Sequence, residues 1–127
     1  QETHGNEADL MSIRHRFPKH ILRGSFCNSH RAGAIMLVVG KEFAEQYDEA
    51  GGLHRHLRME VIVPGRIAKI LCPGTSSLLP LEVFNIHLEI ELAASDPGFL
   101  GARCSLVNTM SKAFAPQGEA HTIIGGD

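Results

Sequence analysis

The chain has no tryptophan and one tyrosine, and only 6% of its 127 residues are aromatic. A surface that stacks bases or sugars needs more rings than that, so such platforms are disfavoured. Basic residues are not in excess: 12 Lys and Arg stand against 14 Asp and Glu, leaving a formal charge of −2. The positive field that draws nucleic acid is therefore lacking, and no nucleic-acid partner is expected. No apolar run approaches the roughly 20 residues of a membrane-spanning helix, and no secretory signal peptide is visible. The cysteines, Cys27, Cys72 and Cys104, are odd in number and scattered. They make neither a CxxC pair nor a disulfide framework, which fits the cytoplasm or another reducing intracellular compartment. The first residue is Gln1 rather than Met, which fits a missing leader, tag or upstream segment.

What is present is ordinary globular material: 43% hydrophobic and 20% charged residues, enough for a real core. The length suits one domain, read as a polar lead-in over 1–11 and a folded unit over 12–127. Residues 12–31 read as short helices or loops, with Pro18 near a helix start. The run 33–39 (GAIMLVV) is wholly apolar, and its period fits a buried helix start or a separate buried strand. The following KEFAEQYDEA is helical, with Phe43 and Tyr47 four apart and Gly51-Gly52 as its exit. Gly40, costing about 1 kcal/mol inside a helix, favours a break between the two.

The rest reads as strand. Leu57, Met59, Val61 and Val63 alternate with Arg58 and Glu60; Pro64-Gly65 and Pro73-Gly74 bracket a second run over 67–72. The strictest alternation is 82–92, with Phe84, Ile86, Leu88, Ile90 and Leu92 on one face and Asn85, His87, Glu89 and Glu91 on the other. That pattern predicts a half-buried strand whose polar row is a solvated face or a subunit contact. After the turn at Asp96-Pro97-Gly98, 102–110 is expected to be another antiparallel strand and 121–124 an edge strand. The class is α+β.

The segment SIRHRFPKHILRGSFCNSHRAG, residues 12–33, resembles the MaoC-like hydratases. Their motif runs N-P-x-H-x-D-P, a spacer, Phe, and then H-G opening a central helix. His15, Pro18, Phe26 and Gly33 fall on its His, Pro, Phe and Gly, and Val63-Pro64-Gly65 on the V-x-P-G that follows the helix. Ser12-Ile13 replaces the Asn-Pro, Phe17 the second Asp, and Ala32 the His before Gly33. The family's catalytic Asp falls at Leu10, and Asp9 is the nearest carboxylate. The resemblance implies a hotdog fold, a central helix within 33–50 wrapped by a curled antiparallel sheet. It also implies reversible hydration of the 2,3-double bond of an acyl-CoA or acyl-carrier thioester in fatty acid metabolism. His15 would be the acid–base group with Asp9 as its partner, and the Gly33 N–H would bind the thioester carbonyl. No cofactor is implied, and such a domain is expected to pair as a homodimer or higher oligomer. A non-catalytic hotdog, binding a ligand or serving as an assembly subunit, is the rival.

A second constellation, His54, His56 and Glu60, has the H-x-H-x3-E spacing of the first metal motif of the cupin barrels. With His87 it makes a fallback ligand set for a transition metal on a cupin-like β-barrel. The simpler expectation is a solvent-facing row without a metal, because strand alternation alone explains it. A ferredoxin-like sandwich with 33–40 as a strand is a third architecture. The cysteines are expected to be packed thiols rather than nucleophiles.

Overall fold

The computed structural model describes residues 2–3, 5–26, 34–47, 57–87, 94–114 and 119–126. In chain order they form β1 (Glu2–Thr3), α1 (Glu7–Arg16), β2 (His20–Ser25), β3 (Ala34–Gly40), α2 (Lys41–Glu45), β4 (Arg58–Val63), β5 (Ile67–Cys72), β6 (Leu81–Ile86), α3 (Phe99–Ala113) and β7 (His121–Gly126). The strands make two sheets, a three-stranded β1-β3-β2 and a four-stranded β4-β5-β6-β7. The fold is thus α+β. The described strands do not close into a barrel, so the cupin-like alternative is not what the chain adopts there.

The apolar run at 34–40 is a strand, and the expected long central helix within 33–50 is absent from the described residues. Ile35, Val38 and Val39 are β-branched and favour extended backbone, and β3 is the middle strand, hydrogen-bonded on both sides. Gly40 is the extended N-cap of α2, which runs only five residues. Of residues 12–31, read as helices or loops, the described 12–26 hold the end of α1 and the whole of β2, and Pro18 lies in the turn after α1 ends rather than near a helix start. α1 starts at Glu7, inside the segment read as a lead-in, because Asn6 caps it: its side chain accepts from the Ala8 and Asp9 N–H groups.

The alternation at 57–63, 67–72 and the first part of 82–92 becomes three antiparallel strands, β6 running Leu81–Ile86, while residues 88–92 lie outside the described residues. The tight turn between β4 and β5 places Gly65 at φ 67, a left-handed conformation that suits glycine. The expected strand at 102–110 is instead part of α3. Leu106, Met110 and Ala113 recur at helical spacing, and this face packs with Phe114 on Ile67, Phe84 and Ile86. α3 is the crossover that lets β7 join β6 in parallel, so the second sheet is mixed rather than antiparallel throughout. At the end of β7, a side chain on Gly126 would collide with the Ile86 carbonyl oxygen.

Four layers result: α1, the first sheet, the second sheet and α3. α1 covers the outer face of β2, where a side chain on Gly24 would meet Leu10. Between the sheets lie Ile21, Ala44, Leu57, Ile70, Cys72 and Leu81, with Leu37 and Val39 packed on them. On the other face of the second sheet, Phe84 meets Phe114 edge to face, ring centroids 4.6 Å apart. β6 is therefore covered on both sides, and the expectation of a half-buried strand with a solvated polar row fails there: Asn85 and His87 are each only 4% exposed. A bulge between Val61 and Val63 also breaks the expected single row of β4. It turns Val63 with Ile62 toward the α3 side.

Candidate functional site

Register places the inter-sheet face of the second sheet as a ladder. Cys72 lies opposite Leu81, Ile70 opposite Val83, and Ala68 opposite Asn85. The His87 N–H donates to the Arg66 carbonyl at 2.8 Å, adding one more rung. Alternation turns all these side chains toward the first sheet. That sheet answers with Ile21 opposite Val39, Arg23 opposite Leu37, and Ser25 opposite Ile35. The layer is apolar at the Ile21 and Cys72 end and polar at the Ser25 and His87 end.

The apolar end holds a cleft of about 220 Å³, lined by Leu37, Val39, Phe43, Ile70, Cys72 and Val83. Phe43, on α2, is 40% exposed and marks where the cleft meets solvent. Burial pushes the Cys72 thiol pKa up, so the thiol stays protonated and packs as a wall rather than acting as a nucleophile.

The polar end joins the sheets by two hydrogen bonds. The Gly65 N–H donates to Ser25 Oγ at 3.0 Å, and Asn85 Nδ2 donates to the Met36 carbonyl at 3.0 Å. Arg66 Nη1 is buried here and has no hydrogen-bond partner among the described residues. A buried donor left unsatisfied costs about 1–3 kcal/mol, and more when charged. On the opposite face of the same sheet Lys69 is fully matched, 3.1 Å from Glu82 and 3.3 Å from Glu60. Its burial alone would lower the pKa, but the hydrogen bonds and charges of Glu82 and Glu60 outweigh that and leave it raised.

The residues singled out from sequence are dispersed. Gly33, His54, His56 and Cys27 lie outside the described residues. Asp9 and His15 are both exposed on α1. Six residues of helix set them about 9 Å apart along the axis and roughly 240° around it, so they do not face each other. The Asp9 carboxylate instead accepts from the Asn6 N–H at 2.9 Å and closes the helix cap. Glu60 is engaged with Lys69, and His87 is buried just beyond the end of β6. No three His, Cys, Asp or Glu side chains among the described residues gather to hold a metal ion. Cys104 is exposed on α3. Sequence reasoning missed Arg66, Ser25 and the cleft. The one available signal for the cleft was the unbroken apolar run of β3, whose Leu37 and Val39 face the second sheet while Val38 on the other face is 51% exposed.

No family model matches the chain, and no curated protein or solved structure matches it either. No described helix is long and apolar enough to cross a membrane.

Proposed function

We propose that this chain is a non-catalytic binding module for a small ligand with an aliphatic acyl chain. The observation that supports this reading is the apolar inter-sheet cleft of about 220 Å³. Concave, mostly apolar pockets with a few polar groups close by are the usual form of small-molecule sites. Binding is favoured over thioester hydration because His15 is exposed and Asp9 is committed to the α1 cap. A hydratase needs its acid–base group and carboxylate to line one pocket. A hotdog reading of the fold would have to take α3, rather than residues 33–50, as its central helix. Pairing of two copies has an edge to use in β7, which is exposed at all six positions.

The test is calorimetric titration with acyl chains of increasing length, each presented as free acid and as CoA thioester. Affinity is expected to rise with chain length and then level off once the cleft is full. Leu37→Trp, which fills the cleft, should weaken binding at least ten-fold while the fold persists. Affinity that ignores chain length in both series overturns the proposal. Hydration of crotonyl-CoA, followed by loss of the enoyl absorbance, is expected to show no turnover. Turnover that disappears in His15→Ala would instead reinstate the hydratase.

A further inference from the structure

The edge strands of the two sheets are β1, β2, β4 and β7, and they differ in how they are protected. β1 is only two residues long. β2 spends a backbone acceptor on its own side chain, Arg23 Nη1 donating to the Leu22 carbonyl at 3.1 Å. β4 carries exposed Arg58 and Glu60 and breaks its register between Val61 and Val63. Short length, charge and bulges are devices that keep a sheet edge from pairing with another chain. β7 has none of them. It is six residues long, holds no Lys, Arg, Asp, Glu or Pro, and stays in register with β6 throughout.

β7 is also uncovered on both faces. In the register Ile123 lies beside Val83 on the inter-sheet side, and Ile124 beside Phe84 on the α3 side. The two isoleucines are 53% and 56% exposed, whereas strands paired in parallel are ordinarily buried on both faces. The outer edge pairs with no described strand. The His121 N–H donates to the Pro80 carbonyl at 2.8 Å, so His121, Ile123 and Gly125 turn their backbone groups toward β6. Alternation then points the N–H and C=O of Thr122 and Ile124 outward. Groups set out in that way are complementary to another extended strand.

We propose that this strand is β7 of a second copy, paired antiparallel about a two-fold axis perpendicular to the sheet. The outward groups make Thr122 exchange hydrogen bonds with the partner's Ile124, and Ile124 with the partner's Thr122. Ile123 then faces the partner's Ile123 as the closely spaced, non-hydrogen-bonded pair. This register sets both isoleucines opposite strand residues that have side chains. With no Lys, Arg, Asp or Glu in the strand, the copies meet without like charges directly opposite each other. The guards on β4 disfavour the competing head-to-tail contact of β7 with β4, which would grow an open filament, whereas β7 on β7 closes. One strand edge of about 20 Å buries less than the roughly 800 Å² per partner of a standard interface, so the pair comes apart on dilution. The pairing goes beyond the cleft reading and is independent of what the cleft binds.

The test is sedimentation velocity over a dilution series of the full chain, with amide exchange measured at both ends of the series. The original protein is expected to shift from monomer to dimer as concentration rises, with no larger species. Over the same range the Thr122 and Ile124 amides should slow by about ten-fold or more, while the Ile123 amide, already directed at β6, changes least. Ile123→Lys, which sets two cations opposite each other, should stay monomeric at every concentration and keep both outward amides fast. If that variant does not fold, the amide pattern of the original protein decides alone. A monomer throughout overturns the proposal. So does a dimer whose Thr122 and Ile124 amides exchange as fast as in the monomer, because the copies then meet elsewhere. A series of ever larger species also overturns it, since that is the mark of head-to-tail joining.

Discussion

The two ends of the inter-sheet layer are built on the same two sheets and behave as opposites. At one end Ile21, Ile70, Cys72 and Leu81 close against each other without a polar atom to satisfy. At the other, Ser25 and Asn85 hold the sheets together through single hydrogen bonds while Arg66 keeps a buried nitrogen unmatched among the described residues. The apolar end derives its stability from excluded water, which is non-directional and tolerates small shifts. The polar end depends on donors and acceptors aligned to within a few tenths of an ångström. A single layer thus combines an apolar half with a half that leaves one buried donor unmatched among the described residues.

Substitutions at the two ends should separate accordingly. Ile70→Ala, at a position 1% exposed, is expected to cost about 2–5 kcal/mol in urea denaturation, the largest effect of the set. A loss under 1 kcal/mol would show that the sheets do not pack as described. Asn85→Ala removes the bridge to Met36 and should cost about 1–3 kcal/mol. Met36 amide exchange should rise with it, and unchanged exchange would detach Asn85 from the first sheet. Ser25→Ala strands the Gly65 N–H in a buried position and should cost a similar amount, about 1–3 kcal/mol in the same urea denaturation.

How much of this was visible in the chain depends on the range of the interaction that decides it. β4, β5 and β6 were legible because alternation is local and both turns between them carry a Pro-Gly pair. The run at 33–39 left helix and strand open, and what settled it is the pairing of β3 on both edges, a tertiary event. Residues 102–110 were read as a strand although Leu106, Met110 and Ala113 have helical spacing. An antiparallel continuation was expected after the turn at Asp96, and α3 is instead the crossover to β7. Of the candidate site, His87 was noticed for its chemistry, but its burial follows from a second sheet that no periodicity announces. Arg66 carried no signal at all. An unmatched Nη1 is a property of what fails to surround it among the described residues, and the bond that ties this sheet to the first one, Asn85 to Met36, spans 49 residues.

The smallest expected effect lies on the opposite face and serves as a control for the comparison. Lys69, with its pKa raised by Glu82 and Glu60, contributes stability that is complete below the ordinary lysine value of 10.5 and is lost as pH rises through the higher folded value. Denaturation midpoints should therefore decline more steeply above that pH in the original protein than in Lys69→Met. Parallel curves would mean that the two carboxylates do not hold Lys69 in solution.

The parallel pairing of β6 with β7 also sets an order of events during synthesis. β4, β5 and β6 meet through short turns and can assemble as soon as they leave the ribosome. β7 pairs across the whole stretch that includes α3, a long loop closure that slows its arrival. Until α3 and β7 dock, one edge of β6 stays open and Phe84 and Ile86 lack their cover, the kind of exposed edge on which nascent chains associate. The interval between release of β6 and docking of β7 is therefore when this chain most needs a chaperone, and shortening the 87–120 connection should shorten it.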